Sequence, residues 1–391
     1  MNSMDLIYLM ACAINGIVPD AGRISDITAD MDSLFKFASF HQVTALTACA
    51  LSSAGVRDAH FMQDLAVTTW KDMVMAEQLE KIEAAFDEAG VWHMRLKGAI
   101  LKDYYPQPYQ RQMSDIDILI DPAAEDKTDE LMASLGFERK KDPDHEFDNH
   151  GMYEKKPVSC FEIHWKLIGK NTLFKKGYQY YKDVEDKLVA DDENRFVRHF
   201  SDEDFYLFMI AHEYKHYNFG GVGIRSLIDT YVFLKKFRKS LDWKYIEREA
   251  EKLGIADFEK MNRKLSVKLF APGSFVLSPG EGMIGDAAAG ENAVSLTEEE
   301  TQMLTYFVSS GTYGVKTHVA ANRVKNIGWG RFLLGEIFLP MKTVKTKYPF
   351  FYKHKVLLPA LPIYHMVSKR KKILNMVREL KKEKSIPKRD A

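Results

Sequence analysis

The stretch Ser114-Asp115-Ile116-Asp117-Ile118-Leu119-Ile120 alternates polar and apolar residues, which indicates a half-buried β-strand. Because side chains on a strand point alternately to its two faces, Asp115 and Asp117 project from one face while the three isoleucines enter the core. Neighbouring carboxylates repel each other and raise each other's pKa, and a bound divalent cation removes that repulsion. Paired carboxylates suit magnesium, which binds one or two of them together with substrate phosphates.

A second stretch, Phe161-Glu162-Ile163-His164-Trp165-Lys166-Leu167, alternates in the same way and predicts a neighbouring strand. Glu162 and His164 share one face of that strand. We therefore predict Glu162 as a third carboxylate, so that Asp115, Asp117 and Glu162 together form the catalytic and metal-binding set. His164 would contact the base or sugar of a substrate, or make a structural hydrogen bond.

These stretches, in this order, resemble the polymerase-β-like nucleotidyltransferase superfamily and, within it, the bacterial family described only as uncharacterised nucleotidyltransferases. The matching segments are Leu96-Lys97-Gly98-Ala99, Tyr105-Pro106, Arg111, Ser114–Leu119, Glu162–Trp165 and the helical segment His212–Asp229. The resemblance covers roughly residues 30 to 270. The sequence departs from the wider superfamily at Ala99, where Ser or Gly is usual, and in the sixteen residues that separate Gly98 from Asp115.

The predicted reaction is in-line attack by an acceptor hydroxyl on the α-phosphorus of a nucleoside triphosphate (NTP), with release of pyrophosphate. Two Mg²⁺ ions roughly 4 Å apart would stabilise the attacking and leaving oxygens. Glu162 would bind the second ion or accept the proton of the hydroxyl.

Candidates for binding the nucleotide precede the first acidic strand. Lys97 and Arg111 would neutralise the triphosphate, and Gly98 would let the backbone approach a phosphate closely. Either cation could instead pair with a local acid such as Asp103. Ser114 would hydrogen-bond near the metal site or to its own backbone.

An alternative function follows from His212-Glu213-Tyr214-Lys215-His216, which matches the His-Glu-x-x-His motif of zinc-dependent hydrolases. The motif lacks a third ligand at the usual spacing, because position 222 is Val; Asp229 or Glu247 could substitute. The family resemblance implies instead that His212 and His216 face the cleft between two halves of the protein. There they would position substrate with Arg225 and Asp229, although Asp229 could also simply bind Arg225.

The apolar periodicities predict strands and helices that, with the family resemblance, imply an α+β protein in which a small polymerase-β-like mixed sheet is flanked by helical regions. The predicted parts are an N-terminal helical region (1–89), a nucleotidyltransferase α/β core (90–170), a helical domain that forms the cleft wall (171–271), and a Gly/Ala-rich loop with a helical basic C-terminal region (272–391). The predicted helices are Met4–Ile14, Asp32–Ser53, Phe61–Ala89, Ala99–Tyr104, Pro122–Leu135, two from Asp202 that break at Phe219–Gly223, Trp243–Leu253 and Ile255–Phe270. The other predicted strands are Trp92–Leu96, Gly151–Lys155 and Ser159–Leu167.

Composition and charge narrow the class of protein. The three cysteines, Cys12, Cys49 and Cys160, suggest no disulfide framework, and no apolar run is long enough to span a membrane, so we expect a cytoplasmic protein. The net charge is zero, yet residues 341–391 carry a local +12. This basic tail either contacts an anionic membrane or nucleic acid weakly, or packs against the acidic remainder of the chain. A catalytically silent binding module held near a membrane by the tail is a third possible function.

Overall fold

The computed structural model describes residues 3–140, 149–170, 172–219, 221–272 and 295–312, and parts of 324–369. The chain divides into two compact units. One comprises Met1–Lys140, Phe147–Tyr214 and Val222–Thr312, and the other comprises Lys141–Glu146, Lys215–Gly221 and Tyr313–Ala391. The predicted loop at 273–293 and the basic tail beyond residue 369 lie outside the described residues. The division into four parts stays a prediction.

Helices make up most of the described chain. They are α1 (Ser3–Asn15), α2 (Ala21–Thr28), α3 (Met31–Phe40), α4 (Thr44–Ser53), α5 (Ala59–Glu88), α6 (Gly98–Leu101), α7 (Glu125–Ser134), α8 (Lys175–Tyr181), α9 (Asp202–Phe219), α10 (Ile224–Phe237), α11 (Trp243–Leu253), α12 (Ala256–Phe270), α13 (Glu298–Ser310), α14 (Met341–Lys347) and α15 (Pro349–Lys353). Short 3₁₀ segments extend α6 at Lys102–Tyr104 and precede α7 at Pro122–Ala124. Within the described residues, none of these helices combines the length and the hydrophobicity needed to cross a bilayer.

A five-stranded mixed sheet carries the residues singled out from the sequence. Its strands are β1 (His93–Arg95), β2 (Ile116–Ile120), β3 (Glu138–Arg139), β4 (His150–Lys155) and β5 (Ser159–His164), in the spatial order β1-β2-β5-β4-β3. β2 and β5 run parallel, and the other neighbouring pairs are antiparallel. A separate hairpin joins β6 (Val189–Ala190) to β7 (Arg198–His199). The mixed sheet with flanking helices confirms the predicted α+β class.

One face of the sheet packs against α5. Ile116, Ile118 and Ile120 of β2 are at most 1% exposed, as the alternating pattern predicted. They share a core with Met75, Leu79, Ile82 and Phe86, whose spacing along α5 places them on one side of that helix. Burying each such side chain contributes roughly 1.5–3 kcal/mol. The apolar residues therefore fix which face of β2 is buried, and Asp117 must lie on the other face.

Two predicted elements differ from the structure. The segment predicted as one helix, Asp32–Ser53, is two helices, because the chain turns at Gln42 with a left-handed φ of 53°. The strand predicted to reach Leu167 ends at His164. The sequence pattern did not predict the helices α2 and α8 or the strands β3, β6 and β7, each of which is eight residues long or shorter and shows little periodicity.

Candidate active site

The acidic residues predicted from the sequence converge on the polar face of the sheet. Asp115 immediately precedes β2, Asp117 lies within it, and the parallel register pairs Asp117 with Glu162 of β5. Leu96 donates its backbone N–H to the carbonyl of Asp117 at 3.0 Å, which brings Lys97 beside the same residue. Backbone pairing therefore assembles the cluster.

Asp117 is the most tightly held carboxylate of this cluster. Its Oδ1 lies 3.0 Å from Lys97 Nζ and 2.8 Å from His164 Nε2, and its side chain is 14% exposed. Burial alone would raise the pKa of Asp117, but Lys97 and His164 together hold this pKa well below its usual range. Asp117 is therefore ionised at neutral pH.

The pKa of Asp115 is shifted in the opposite direction to that of Asp117. Burial, and then the charges of Asp117 and Glu162, raise the pKa of Asp115 to about 6, although Lys97 and Arg225 partly oppose this rise. The ionised form of Asp115 is therefore costly beside two other acids. A divalent cation bound among the three carboxylates would remove that cost.

The donor types suit magnesium, although among the described residues these three carboxylates do not form a group whose ligand atoms all lie within 4.8 Å of one another. Asp115, Asp117 and Glu162 offer the hard carboxylate oxygens that this ion prefers, and the raised pKa of Asp115 reflects the repulsion that a cation would relieve. Lys97 Nζ already neutralises part of the charge on Asp117 at Oδ1.

Two histidines complete the polar face. His164 Nε2 lies 3.4 Å from Glu162 Oε2, and His150 Nε2 lies 3.7 Å from the same oxygen. Burial and the neighbouring His164 lower the pKa of His150 to about 4. Burial also disfavours charge on His164, but its hydrogen bonds to Asp117 and Glu162 raise its pKa above the usual value. His164 thus makes a structural hydrogen bond, one of the two roles that the sequence left open.

His150 was not among the site residues predicted from the sequence. It reaches the site because the antiparallel register of β4 and β5 pairs it with His164. No local pattern marks it, since it stands at the first residue of its strand. Only the predicted pairing of the two strands would have placed it there.

Lys97 adopts an unusual backbone conformation. Its φ of 41° and ψ of −108° lie outside the regions that a residue with a side chain normally occupies. Strain of this kind costs of order 1–3 kcal/mol and is typical of functional sites. The strained turn between β1 and α6 holds the Lys97 ammonium against Asp117.

Gly98, the next residue, is required for packing. A Cβ atom at this position would overlap the guanidinium of Arg111 and lie 2.8 Å from Met113 Sδ. The structure therefore gives Gly98 a role that the sequence did not predict, which is to admit the Arg111 side chain. Its predicted contact with a phosphate stays a prediction.

Arg111 is engaged in a buried ion pair, not exposed for a triphosphate. Its Nε and Nη2 donate to Asp229 Oδ1 and Oδ2 at 2.8 and 2.7 Å, and Tyr105 Oη donates to Asp229 Oδ1 at 2.7 Å. Burial disfavours charge on the guanidinium, yet Asp229 keeps the pKa of Arg111 above its usual value. Asp229 occupies these two donors, so Arg111 pairs with an acid, as the sequence analysis allowed, although the acid is not Asp103; its predicted contact with a triphosphate stays a prediction.

Arg225 and Asp229 do not pair with each other, contrary to one prediction. Arg225 Nη1 donates to Gln42 Oε1 at 2.7 Å and to the carbonyl of Gln112 at 2.5 Å. Arg225 also lies near enough to Asp115 to lower its pKa. The Ser114 carbonyl accepts a hydrogen bond from Lys71 at 3.4 Å. These contacts hold the chain just before β2.

The His212–His216 segment lies on α9, where Glu213 is 5% exposed. Glu213 accepts hydrogen bonds from Asn262 Nδ2 at 2.6 Å and Thr230 Oγ1 at 3.4 Å. Burial, and then Asp229, raise the pKa of Glu213 well above its usual range. A carboxyl enclosed in this way cannot reach a substrate as a general base. Among the described residues, the one His/Cys/Asp/Glu group spaced for a metal ion is His150, Glu162 and His164, which includes neither histidine of the motif.

The comparison with protein-family models agrees with the resemblance seen in the sequence. The sequence model of the family described as "Uncharacterised nucleotidyltransferase" matches residues 28–271. No curated protein matches the chain. A solved structure that matches is titled "Solution Structure of Antibiotic-Resistance Factor ANT(2'')-Ia Reveals Substrate-Regulated Conformation Dynamics", at 14% identity over 51% of this chain and 91% of that chain, with a TM-score of 0.26.

Proposed function

Because the chain belongs to the uncharacterised nucleotidyltransferase family, we propose that it transfers a nucleoside monophosphate from an NTP to a hydroxyl-bearing acceptor in a magnesium-dependent reaction. The observation that carries this proposal is the convergence of Asp115, Asp117 and Glu162 from two parallel strands, with an electrostatic cost that a cation removes. The acceptor is defined only by its hydroxyl group.

Each side chain of the cluster has a role in the proposal. Asp115 and Asp117 hold the metal, and Glu162 completes the site. Bound there, magnesium would neutralise the triphosphate and stabilise charge on the attacking and leaving oxygens. Lys97 pairs with Asp117 in the free protein and lies where it could also contact a phosphate oxygen. His164 fixes the orientation of Asp117 through its 2.8 Å hydrogen bond.

The reaction also requires a group that accepts the proton of the substrate hydroxyl. Glu162 is the proposed proton acceptor, because its Oε2 lies within 3.4 Å of His164 Nε2, and a hydrogen bond from His164 would hold it in place. Helices α9 and α10, which bear His212, His216 and Arg225, are proposed to form the wall against which the acceptor binds. Catalysis of this kind depends mostly on positioning and charge neutralisation.

The test is mass spectrometry of products after incubation of the full chain with Mg²⁺, the four NTPs and a cell extract. The expected result is a nucleotidylated acceptor whose yield falls by roughly 10²-fold or more in Asp117→Asn, as for other losses of a preorganised charged group. Glu138→Gln is a matched control, because Glu138 is an exposed acid of β3 in the same sheet.

Binding of the nucleotide is measured in parallel by calorimetry, so that the result does not depend on the extract. We expect NTP to bind the wild-type chain in the presence of Mg²⁺ and to bind the Asp115→Asn variant at least 10-fold more weakly. NTP binding that is equal with and without Mg²⁺, or equal in the two proteins, would contradict the proposal. Cleaved peptides among the products, lost in His216→Ala, would favour the zinc-dependent hydrolase instead.

A further inference from the structure

We propose that His150, Glu162 and His164 form a binding site for one zinc ion that shares Glu162 with the carboxylate cluster. We call these three residues the histidine site. They come from two antiparallel strands, β4 and β5, whose register places His150 directly opposite His164. The inference goes beyond nucleotide transfer, because it concerns an ion that binds without nucleotide.

The distances between the ligand atoms fit tetrahedral zinc. Bonds of about 2.0–2.1 Å in a tetrahedron place neighbouring ligand atoms about 3.3–3.4 Å apart. Glu162 Oε2 lies 3.4 Å from His164 Nε2 and 3.7 Å from His150 Nε2, and one ligand atom from each of the three residues lies within 4.8 Å of the other two. The two distances from Glu162 match the tetrahedral spacing to a few tenths of an ångström. The two imidazoles would move toward each other to complete three corners of the tetrahedron, and the fourth would be open to water or substrate.

The chemistry of the donors selects among metals. Imidazole nitrogens suit zinc and other late first-row ions, whereas magnesium prefers oxygen ligands. Two histidines and one glutamate are also a ligand set found in catalytic zinc sites. Asp115 and Asp117 supply oxygen alone, so the two halves of the cluster differ in the metal that they favour.

The burial of these three side chains also favours zinc over magnesium. The side chains of His150, Glu162 and His164 are 9%, 18% and 5% exposed, so the ion would lose most of its hydration shell on binding. Magnesium gives up its water reluctantly, and zinc in a protein site does not need to retain it. The two rings already lie close, with centroids 4.7 Å apart and planes tilted by 34°.

Zinc would compete with Asp117 for His164. The Nε2 atom of His164 now lies 2.8 Å from Asp117 Oδ1, and a nitrogen that binds zinc offers its lone pair and carries no hydrogen. Zinc binding would therefore break this hydrogen bond, while Lys97 would remain paired with Asp117. The histidine site and the carboxylate pair are coupled through this one imidazole.

The test is equilibrium dialysis of the full, chelator-stripped chain against Zn²⁺ in a buffer that contains millimolar Mg²⁺, followed by elemental analysis. We expect roughly one zinc per chain. His150→Ala and Glu162→Gln should each weaken zinc binding at least 10-fold. His216→Ala and His199→Ala, which remove a histidine elsewhere, should bind zinc as the wild type does.

Cobalt replaces zinc as a probe that needs no variant. The Co²⁺-loaded wild-type chain should show the strong visible absorption of a tetrahedral site, and added Zn²⁺ should abolish it. The inference is overturned if the wild type binds no zinc, if His150→Ala retains it while folded by circular dichroism, or if Co²⁺ gives only the weak bands of six-coordinate geometry. None of these readouts uses a nucleotide, so failure here is distinct from failure of the proposed transfer.

Discussion

Asp117 and Asp229 are both buried carboxylates held by cationic side chains, yet their surroundings differ in charge balance. Asp229 accepts hydrogen bonds on both oxygens from Arg111 and Tyr105. Asp117 is held at Oδ1 by Lys97 and His164, with Asp115 and Glu162 close enough to interact electrostatically. The first cluster joins the segment before β2 to α10, and the second lies on the polar face of the sheet.

This difference distinguishes a structural ion pair, around Asp229, from a site that favours binding of a cation, around Asp117. Around Asp229 one guanidinium balances one carboxylate, because the nearby Glu213 has a pKa raised well above its usual range and stays neutral. Around Asp117 three acids share Lys97, His164 and, beside Asp115, Arg225. The raised pKa of Asp115 shows that ionising all three acids is still costly in the free protein, and a bound cation would make it favourable.

The largest expected effect on the free energy of unfolding comes from disrupting the ion pair between Arg111 and Asp229, which we call the balanced pair. Asp229→Asn should lower the free energy of unfolding by about 3–5 kcal/mol, because it leaves the Arg111 guanidinium buried without its counter-charge. Asp117→Asn should cost clearly less, since Lys97 remains near Asp115 and Glu162. Urea unfolding of both variants, with ligand-free wild type as the reference, measures the difference.

Equal losses of stability in the two variants would contradict the inference that Asp229 contributes more to the stability of the fold than Asp117 does. A larger loss in Asp117→Asn would reverse it, and would make the sheet cluster the structural one. Both outcomes are read from the same unfolding curves, and neither depends on knowing the substrate.

A smaller effect on the free energy of unfolding is expected when Asp115 is replaced, and this effect depends on pH. Its pKa of about 6 in the folded chain exceeds the ordinary aspartate value of 3.8, so folding favours the protonated form. The cost of ionising it appears as the pH rises above 3.8 and is complete above pH 6. The stability of Asp115→Asn relative to wild type should therefore rise by roughly 2 kcal/mol between pH 4 and pH 7 without metal.

The comparison between variant and wild type isolates Asp115, because histidines that titrate in this window are present in both proteins. Saturating Mg²⁺ should reduce the difference at pH 7, since a bound cation offsets the repulsion. A difference that is constant from pH 4 to pH 7 would show that Asp115 is not under electrostatic stress. It would also remove the main physical argument for a cation at this site.

The carboxylate cluster could be predicted from the sequence because the alternation of polar and apolar residues that marks it is local. The alternation from Ser114 to Ile120 assigns Asp117 to the polar face without any knowledge of distant contacts. The helix predicted at Trp243–Leu253 is likewise confirmed to the residue, because Asp242 caps it with side-chain hydrogen bonds and Gly254 ends it in the left-handed conformation.

The balanced pair could not be predicted in the same way. Arg111 and Asp229 are 118 residues apart, and no pattern in either segment specifies the partner. His150 reaches Glu162 only through the pairing of β4 with β5, which alternation alone does not specify. The break between α3 and α4 was missed because Gln42, with no Gly or Pro beside it, adopts the left-handed turn.

Gly98 connects the two clusters, and its substitution should have an intermediate effect. Gly98→Ala places a Cβ atom against the Arg111 guanidinium, and overpacking of this kind costs about 1–3 kcal/mol. This cost should exceed the gain of at most about 1 kcal/mol in helix propensity at the start of α6. Thermal unfolding measures it. Gly330→Ala is the control, because a Cβ atom there meets nothing within 4 Å; equal midpoints for the two variants would contradict the packing role of Gly98.

The smallest effect is expected where solvent competes with the ion pair. Lys140 Nζ and Glu154 Oε1 lie 2.6 Å apart, closer than Arg111 and Asp229, but their side chains are 54% and 49% exposed. Glu154→Gln should therefore change the free energy of unfolding by less than about 1 kcal/mol, and by still less in 0.5 M NaCl, because water and salt screen exposed charges. Urea unfolding at both salt concentrations measures the change. A loss as large as that of Asp229→Asn would mean that distance, and not burial with charge balance, determines what these pairs contribute.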